Sequence, residues 1–258
     1  MSSEVRTMHS LRFVGIIPAR YASTRLPGKP LRKIGSKTII HHVYEGASES
    51  LDQVLVATDD ERIVREVESW GGVAVMTSDQ HRSGTDRIAE AMEKSGLDAD
   101  VVINIQGDEP FICHEHIDAL KKQFEDPNVQ IATPIIAISA EDDPEDPNLV
   151  KVVRDLNGDA VYFSRYAIPF QRDADSQPPK RYAHVGMYAF RRKVLEVVTR
   201  LSTTSLEDAE SLEQLRWLEY GFKIRTVEIS HRTLGIDTPE DLEHARELYK
   251  NSITEEGK

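Results

Sequence analysis

The chain is 258 residues long, enough for one large domain or two small ones. Its 32 lysines and arginines against 44 acids leave a net charge of −12, which disfavours non-specific nucleic-acid binding, and 39% hydrophobic with 29% charged residues is ordinary for a globular protein. A single cysteine, Cys113, excludes an internal disulfide framework, and no apolar run approaches the roughly 18–20 residues of a membrane span, so a soluble protein of the cytoplasm is expected.

The first half alternates strand and helix patterns. Residues 1–10 read as a disordered extension, and Phe13–Ile17 as a short parallel strand buried on both faces. The following loop carries Arg20, Arg25 and Lys29 between prolines and Gly28, which forbid direct entry into the helix predicted over Thr38–Ser50. Three cations at the carboxyl end of a parallel strand suit a polyphosphate, and a solvated basic loop whose cations pair with carboxylates elsewhere explains them about as well; neither Walker A nor dinucleotide glycine spacings are present. Strands follow at Val54–Ala57, Val73–Met76 and Val101–Ile105. Between them lie a helix over Asp60–Trp70, with Asp59 as its cap, and another over Gly84–Ser95 before Gly96. Residues 11–128 are thus expected to form a nucleotide-binding α/β half built on a doubly wound, mostly parallel sheet.

The rhythm changes near Asp126. Ile131–Ile138, Leu149–Arg154, Ala160–Arg165 and His184–Phe190 read as strands without full helices between them, an antiparallel extension. A helix over Leu206–Tyr220, a strand over Lys223–Ile229 and a helix over Pro239–Tyr249 restore α/β character. Residues 129–250 are expected to complete the same domain, and 251–258 to be a disordered tail.

Three constellations carry candidate chemistry. Gln106-Gly107-Asp108-Glu109-Pro110 follows the fourth strand at once, placing Asp108 at the edge that bears the cationic loop. A carboxylate beside a triphosphate is useful as a Mg²⁺ ligand, while a plain helix cap explains Asp108 equally well in isolation. In Gly235–Asp241 the residues Thr238, Pro239 and Asp241 fit the N-cap, N1 and N3 positions, which leaves Asp237 free to face Asp108 across the phosphate loop. Thr77–Arg87 is a polar entry to a helix, where Ser83 and Gly84 fit either base recognition or a simple cap. Arg165, His184, and Glu210 with Gln214 at i, i+4 spacing offer groups for a carboxylate and a polyol, though strand aromatics and solvated helix pairs explain such residues as readily.

Taken in order, IIPARYASTRLPGKPL, VATDD, HRSGTDR, NIQGDEPFI, PNLVKVV, VYFSR, HVGMYAF, ESLEQLRWLEYG and GIDTPEDLE make the chain resemble the 3-deoxy-manno-octulosonate cytidylyltransferases (CMP-Kdo synthetases) from about Phe13 to Tyr249. The resemblance implies transfer of CMP from CTP to the anomeric hydroxyl of Kdo for lipopolysaccharide biosynthesis, with Mg²⁺ as cofactor and pyrophosphate released. It implies that Arg20, Arg25 and Lys29 hold the triphosphate, that Asp108 and Asp237 bind Mg²⁺, and that Ser83, Gly84 and Gln106 help recognise cytidine. Arg165, His184, Tyr188, Glu210 and Gln214 would line the sugar site. It also implies a homodimer formed through the later strands, with no nucleic-acid or membrane partner. Asp86 stands where glutamate is commoner in the family, and Cys113 falls in a variable stretch. Sialate transfer, a metal-dependent glycosyltransferase and a non-catalytic CTP sensor are the competing readings.

Overall fold

Strand β1 (Phe13–Ala19) runs into the cationic loop, and a 3-10 turn (Lys29–Leu31) with a small hairpin, β2 (Lys33–Ile34) and β3 (Lys37–Thr38), leads on to helix α1 (Ile39–Ser48). These come from a computed structural model, which describes residues 10–173, 177 and 179–256; the expected disordered extension at 1–10 lies almost wholly outside them. The alternation continues through β4 (Gln53–Thr58), α2 (Glu61–Ser69), β5 (Ala74–Met76), α3 (Gly84–Ser95), β6 (Val101–Asn104) and α4 (His114–Gln123). The second half comprises β7 (Ile131–Ala137), β8 (Lys151–Arg154), β9 (Ala160–Ser164), β10 (Tyr182–His184), β11 (Tyr188–Arg191), α5 (Arg192–Val198), α6 (Ser205–Glu210), α7 (Glu213–Glu219), β12 (Ile224–Glu228) and α8 (Pro239–Glu256).

The expected α/β architecture with an antiparallel extension is present. Strands β5, β4, β1 and β6 lie side by side and parallel, and β11 pairs antiparallel with β6 on one side and β7 on the other. Strand β12 runs parallel along the far edge of β7. Strand β10 takes the near edge of β7 beyond the reach of β11, and β8 and β9 extend the sheet from there, all antiparallel. Alternate residues of β1 feed opposite layers: Ile17 and Ala19 pack with α1, α2, α4 and α8, while Val14 and Ile16 pack with α3, α5 and α7. Both layers are buried and hydrophobic, with Phe163, Phe190 and Trp217 among the aliphatic side chains of the second, so the carboxyl ends of β1 and β6 stand on a packed base.

Four expectations are corrected. Asp60, not Asp59, caps α2 by accepting from the Arg62 amide at 2.9 Å, which leaves Asp59 to pair with Arg87 at 2.7 Å. The strand expected over His184–Phe190 is split at Val185–Met187, because the chain must leave β7 and turn toward β6. The helix expected over Leu206–Tyr220 is two helices, broken where Ser211 takes a left-handed conformation with φ 52°. Residues 251–256, expected within a disordered tail, continue helix α8.

Candidate active site

A cavity of about 400 Å³ opens between the carboxyl ends of β1 and β6, walled by the cationic loop, by His81–Gly84 with Arg87, and by Gln106–Asp108 with Asp237. Gly107 makes this closure possible. A Cβ there would stand 2.6 Å from the Pro18 carbonyl oxygen, so only glycine lets the two strand ends approach. The loop carrying Asp237 is tied on by the Ile236 amide, which donates to the Asp108 carbonyl at 2.9 Å. Thr238 and Asp241 cap α8 reciprocally, at 3.1 Å and 2.8 Å, and thereby leave the Asp237 carboxylate unused by the helix.

The Asp237 carboxylate and that of Asp108 converge on one ammonium. Lys29 Nζ donates to Asp108 Oδ2 at 2.6 Å and to Asp237 Oδ1 at 3.1 Å, while Arg25 Nη2 pairs with Asp237 Oδ2 at 2.9 Å. Arg20 is exposed at the rim and forms no ion pair among the described residues. The sequence reading passed over Arg82, which lines the same cavity and adds a fourth cation; its place beside Ser83-Gly84 was the available signal. Next to Asp108, burial pushes the Glu109 carboxyl up to about 7, even though the Thr233 hydroxyl donates to it.

The second wall is built by α3. Ser83 is its N-cap, accepting from the Asp86 amide at 3.1 Å, so the capping role is observed and Ser83 lines the cavity as well. Gln106 donates its amide to the Gly186 carbonyl, which anchors the turn between β10 and β11 to this strand end. Among the polar groups buried without a hydrogen-bond partner among the described residues are Asn104 Oδ1, the Tyr188 hydroxyl and Gln214 Nε2. Asn104 and Tyr188 are cross-strand partners, and the Asn104 amide nitrogen lies 3.8 Å from the point a Cβ on Gly84 would occupy. Buried polar groups left unsatisfied are uncommon, and of these three Asn104 stands next to the Gly84 wall of the cavity.

The structure separates the five sugar-site candidates. Tyr188, whose ionisation burial pushes well up, and Gln214 belong to the unpartnered set. His184 is packed between Phe163 and Tyr188 with Nε2 2.9 Å from the Thr133 hydroxyl, and burial lowers its pKa to about 3, so it is neutral. Glu210 and Arg165 are occupied with the fold. Glu210 accepts from the Ser164 hydroxyl at 2.6 Å and the Arg165 amide at 2.8 Å, and the Arg165 guanidinium donates to the carbonyls of Glu210, Pro147 and Ser211. The break at Ser211 also removes the shared helix face expected for Glu210 and Gln214. Glu213, which the sequence reading missed, accepts from Thr85 at 2.6 Å, and burial raises its pKa against the pull of the Thr85 and Ser83 hydroxyls.

With this geometry in hand, the chain was compared with known proteins. A family model described as cytidylyltransferase matches residues 14–224. A 3-deoxy-manno-octulosonate cytidylyltransferase of Bacteroides thetaiotaomicron is 54% identical over 93% of this chain and 99% of its own length. One of the same name from Thermodesulfovibrio yellowstonii is 50% identical over 89% and 95%. Among solved structures, a CMP:2-keto-3-deoxy-manno-octonic acid synthetase complexed with CTP superposes with a TM-score of 0.88 at 45% identity, covering 93% of this chain and 99% of that one. A 4-diphosphocytidyl-2C-methyl-D-erythritol synthase from Anaerococcus prevotii, 17% identical with a TM-score of 0.59 over 93% and 99%, shares the fold alone.

Proposed function

The chain belongs to the 3-deoxy-manno-octulosonate cytidylyltransferase family, and from that premise we propose that it transfers CMP from CTP to the anomeric hydroxyl of Kdo, releasing pyrophosphate, as a step of lipopolysaccharide biosynthesis. The observation that carries the reading is the meeting of Lys29, Asp108 and Asp237 at the mouth of an arginine-rimmed cavity.

In this reading Arg20, Arg25 and Lys29 hold the triphosphate, with Arg82 as a further cation. Arginine forks suit phosphate oxygens, and the lysine supplies a compact charge where pyrophosphate departs. Ser83, Gly84 and Gln106 take the cytidine side. Tyr188, Gln214, Asn104 and Glu213 take the acceptor sugar, with His184 as a neutral support. Arg165 and Glu210 would reach the sugar only by giving up their present bonds, so they shape the pocket from outside.

Asp108 and Asp237 fit a Mg²⁺ ion: two carboxylates already converge on a single cationic point, and the donor set is hard oxygen. When bound, the ion neutralises charge on the phosphates. The residues then act by positioning. The loop cations align the α-phosphorus for in-line attack, the buried wall orients the anomeric oxygen, and Lys29 turns from the carboxylates toward the developing pyrophosphate.

A homodimer in the cytoplasm belongs to the same reading. β9 ends the sheet, and Val161, Tyr166 and Phe170 around it are exposed at 59%, 73% and 83%, an apolar edge suited to a second copy. Among the described residues no helix is long and apolar enough to cross a membrane. The deciding experiment measures pyrophosphate release from CTP and Mg²⁺ with Kdo, with sialate or with no sugar. Release only with Kdo supports the reading. Release only with sialate moves the acceptor to a neighbouring branch, and no release with any of them overturns the assignment.

A further inference from the structure

We propose that Cys113, His116 and His231 form a second metal site, of the zinc type, which fastens the start of α4 to the segment carrying Asp237. The three residues present one ligand atom each, and these atoms lie within 4.8 Å of one another. Cys113 is the N-cap of α4 and His116 sits in its first turn, while His231 comes from the segment between β12 and α8. Residues far apart in sequence thus bring one sulfur and two imidazoles to a single point. That donor set selects zinc over magnesium, since thiolate and imidazole are poor partners for a hard cation.

His116 is the independent sign of a ligand. Its side chain is 1% exposed, and neither ring nitrogen has a hydrogen-bond partner among the described residues. A buried imidazole left without partners is costly, and a metal ion satisfies it. His231 is prepared from its other side, where Nδ1 lies 2.7 Å from the Ser230 hydroxyl and Nε2 remains for the metal. Glu115 stands by, with Oε2 3.6 Å from Cys113 Sγ and 3.7 Å from His231 Nε2, near enough to fill a fourth corner. With ligand bonds of about 2.0–2.3 Å, tetrahedral donors sit about 3.3–3.8 Å apart, so the cluster needs to contract by only about 1 Å.

The place gives the metal a purpose apart from the reaction. The segment holding His231 already touches the loop after β6 through Thr233 to Glu109 and Ile236 to Asp108. A metal at His231 adds a third tie between the two segments that supply the carboxylates of the candidate active site.

The test is a titration of the full-length protein, stripped with chelator, using Co²⁺ as a spectroscopic stand-in for Zn²⁺. A thiolate-to-cobalt charge-transfer band saturating at one equivalent and displaced by Zn²⁺ is expected. Cys113→Ser should abolish the band. His231→Ala, at an exposed position, should weaken Co²⁺ binding by about tenfold or more with an unchanged circular dichroism spectrum. Asp108→Asn should retain the band, since oxygen ligands at the other site cannot produce it. Absence of the band in the wild-type protein, or a band indifferent to His231→Ala, overturns the proposal.

Discussion

At the scale of single residues, Lys29 is the ammonium on which two carboxylates converge. Without it Asp108 loses its cation while Asp237 keeps Arg25, and in the proposed reading the departing pyrophosphate loses a nearby charge. Lys29→Ala should lower kcat by roughly a hundredfold or more while changing the KM for CTP less than about tenfold, as steady-state pyrophosphate release will report. Asp108→Asn and Asp237→Asn should each cost at least about a hundredfold in Mg²⁺-dependent turnover with little change in melting temperature, and full activity in both would remove the proposed metal ligands. His184 gives a pH prediction. Its ordinary pKa of 6.5 falls to about 3 on burial, so its contribution is intact above pH 6.5 and is lost as the pH falls, because the unfolded chain takes up the proton first. By pH 5 the loss is at most about 2 kcal/mol. Denaturant unfolding of His184→Gln should show a shallower decline from pH 7 to pH 5, and equal slopes for variant and wild type would refute the assignment. That Arg20, Arg25 and Lys29 share one cavity with Asp108 and Asp237 was legible in the sequence, because loops at the carboxyl ends of neighbouring parallel strands open on the same sheet edge. Glu213 was not, because nothing local marks which acid of Glu210-Ser211-Leu212-Glu213 faces inward.

At the scale of elements, the site depends on how closely two strand ends can come together. Gly107→Ala puts a methyl group against the Pro18 carbonyl oxygen, and the clash should cost about 1–3 kcal/mol in denaturant unfolding. Because the displaced backbone carries Asp108, activity should fall further than stability does; a variant as active as the wild type would mean the contact does not set the site. The parallel strands were readable because short aliphatic runs buried on both faces have no other common explanation. Helix α3 was readable because Ser83 and Gly96 mark its ends. The break between α6 and α7 was hidden, since nothing in the local sequence marks Ser211 for the left-handed conformation it takes. The run 184–190 misled for a related reason. Its alternation fits a strand throughout, and only the change of partner from β7 to β6 shows where the strand must stop.

At the scale of the whole molecule, a net charge of −12 opposes the approach of a nucleoside triphosphate, so the local field of the cationic loop has to overcome the global one. The two halves read from the sequence share their cores: Met187 and Ala189 pack with Ile17 and Val56, and Ile236, Leu242 and Ala245 join the same layer. The position of β11 has a consequence for the timing of folding. The outer edge of β6 finds its partner only when residues 188–191 arrive, after β7 to β10 have already been made. A chain emerging from the ribosome therefore exposes a bare parallel edge from the completion of β6 at Asn104 until β11 begins at Tyr188, the kind of surface chaperones hold and aggregates recruit. A fragment of residues 11–128 should accordingly be recovered as aggregate or be captured on that edge, and a monomeric, cooperatively melting fragment would show that the first half closes itself. Such a chain can be switched on only late, since the strand that closes the edge of β6 also brings Tyr188, which the proposed reading sets against the acceptor.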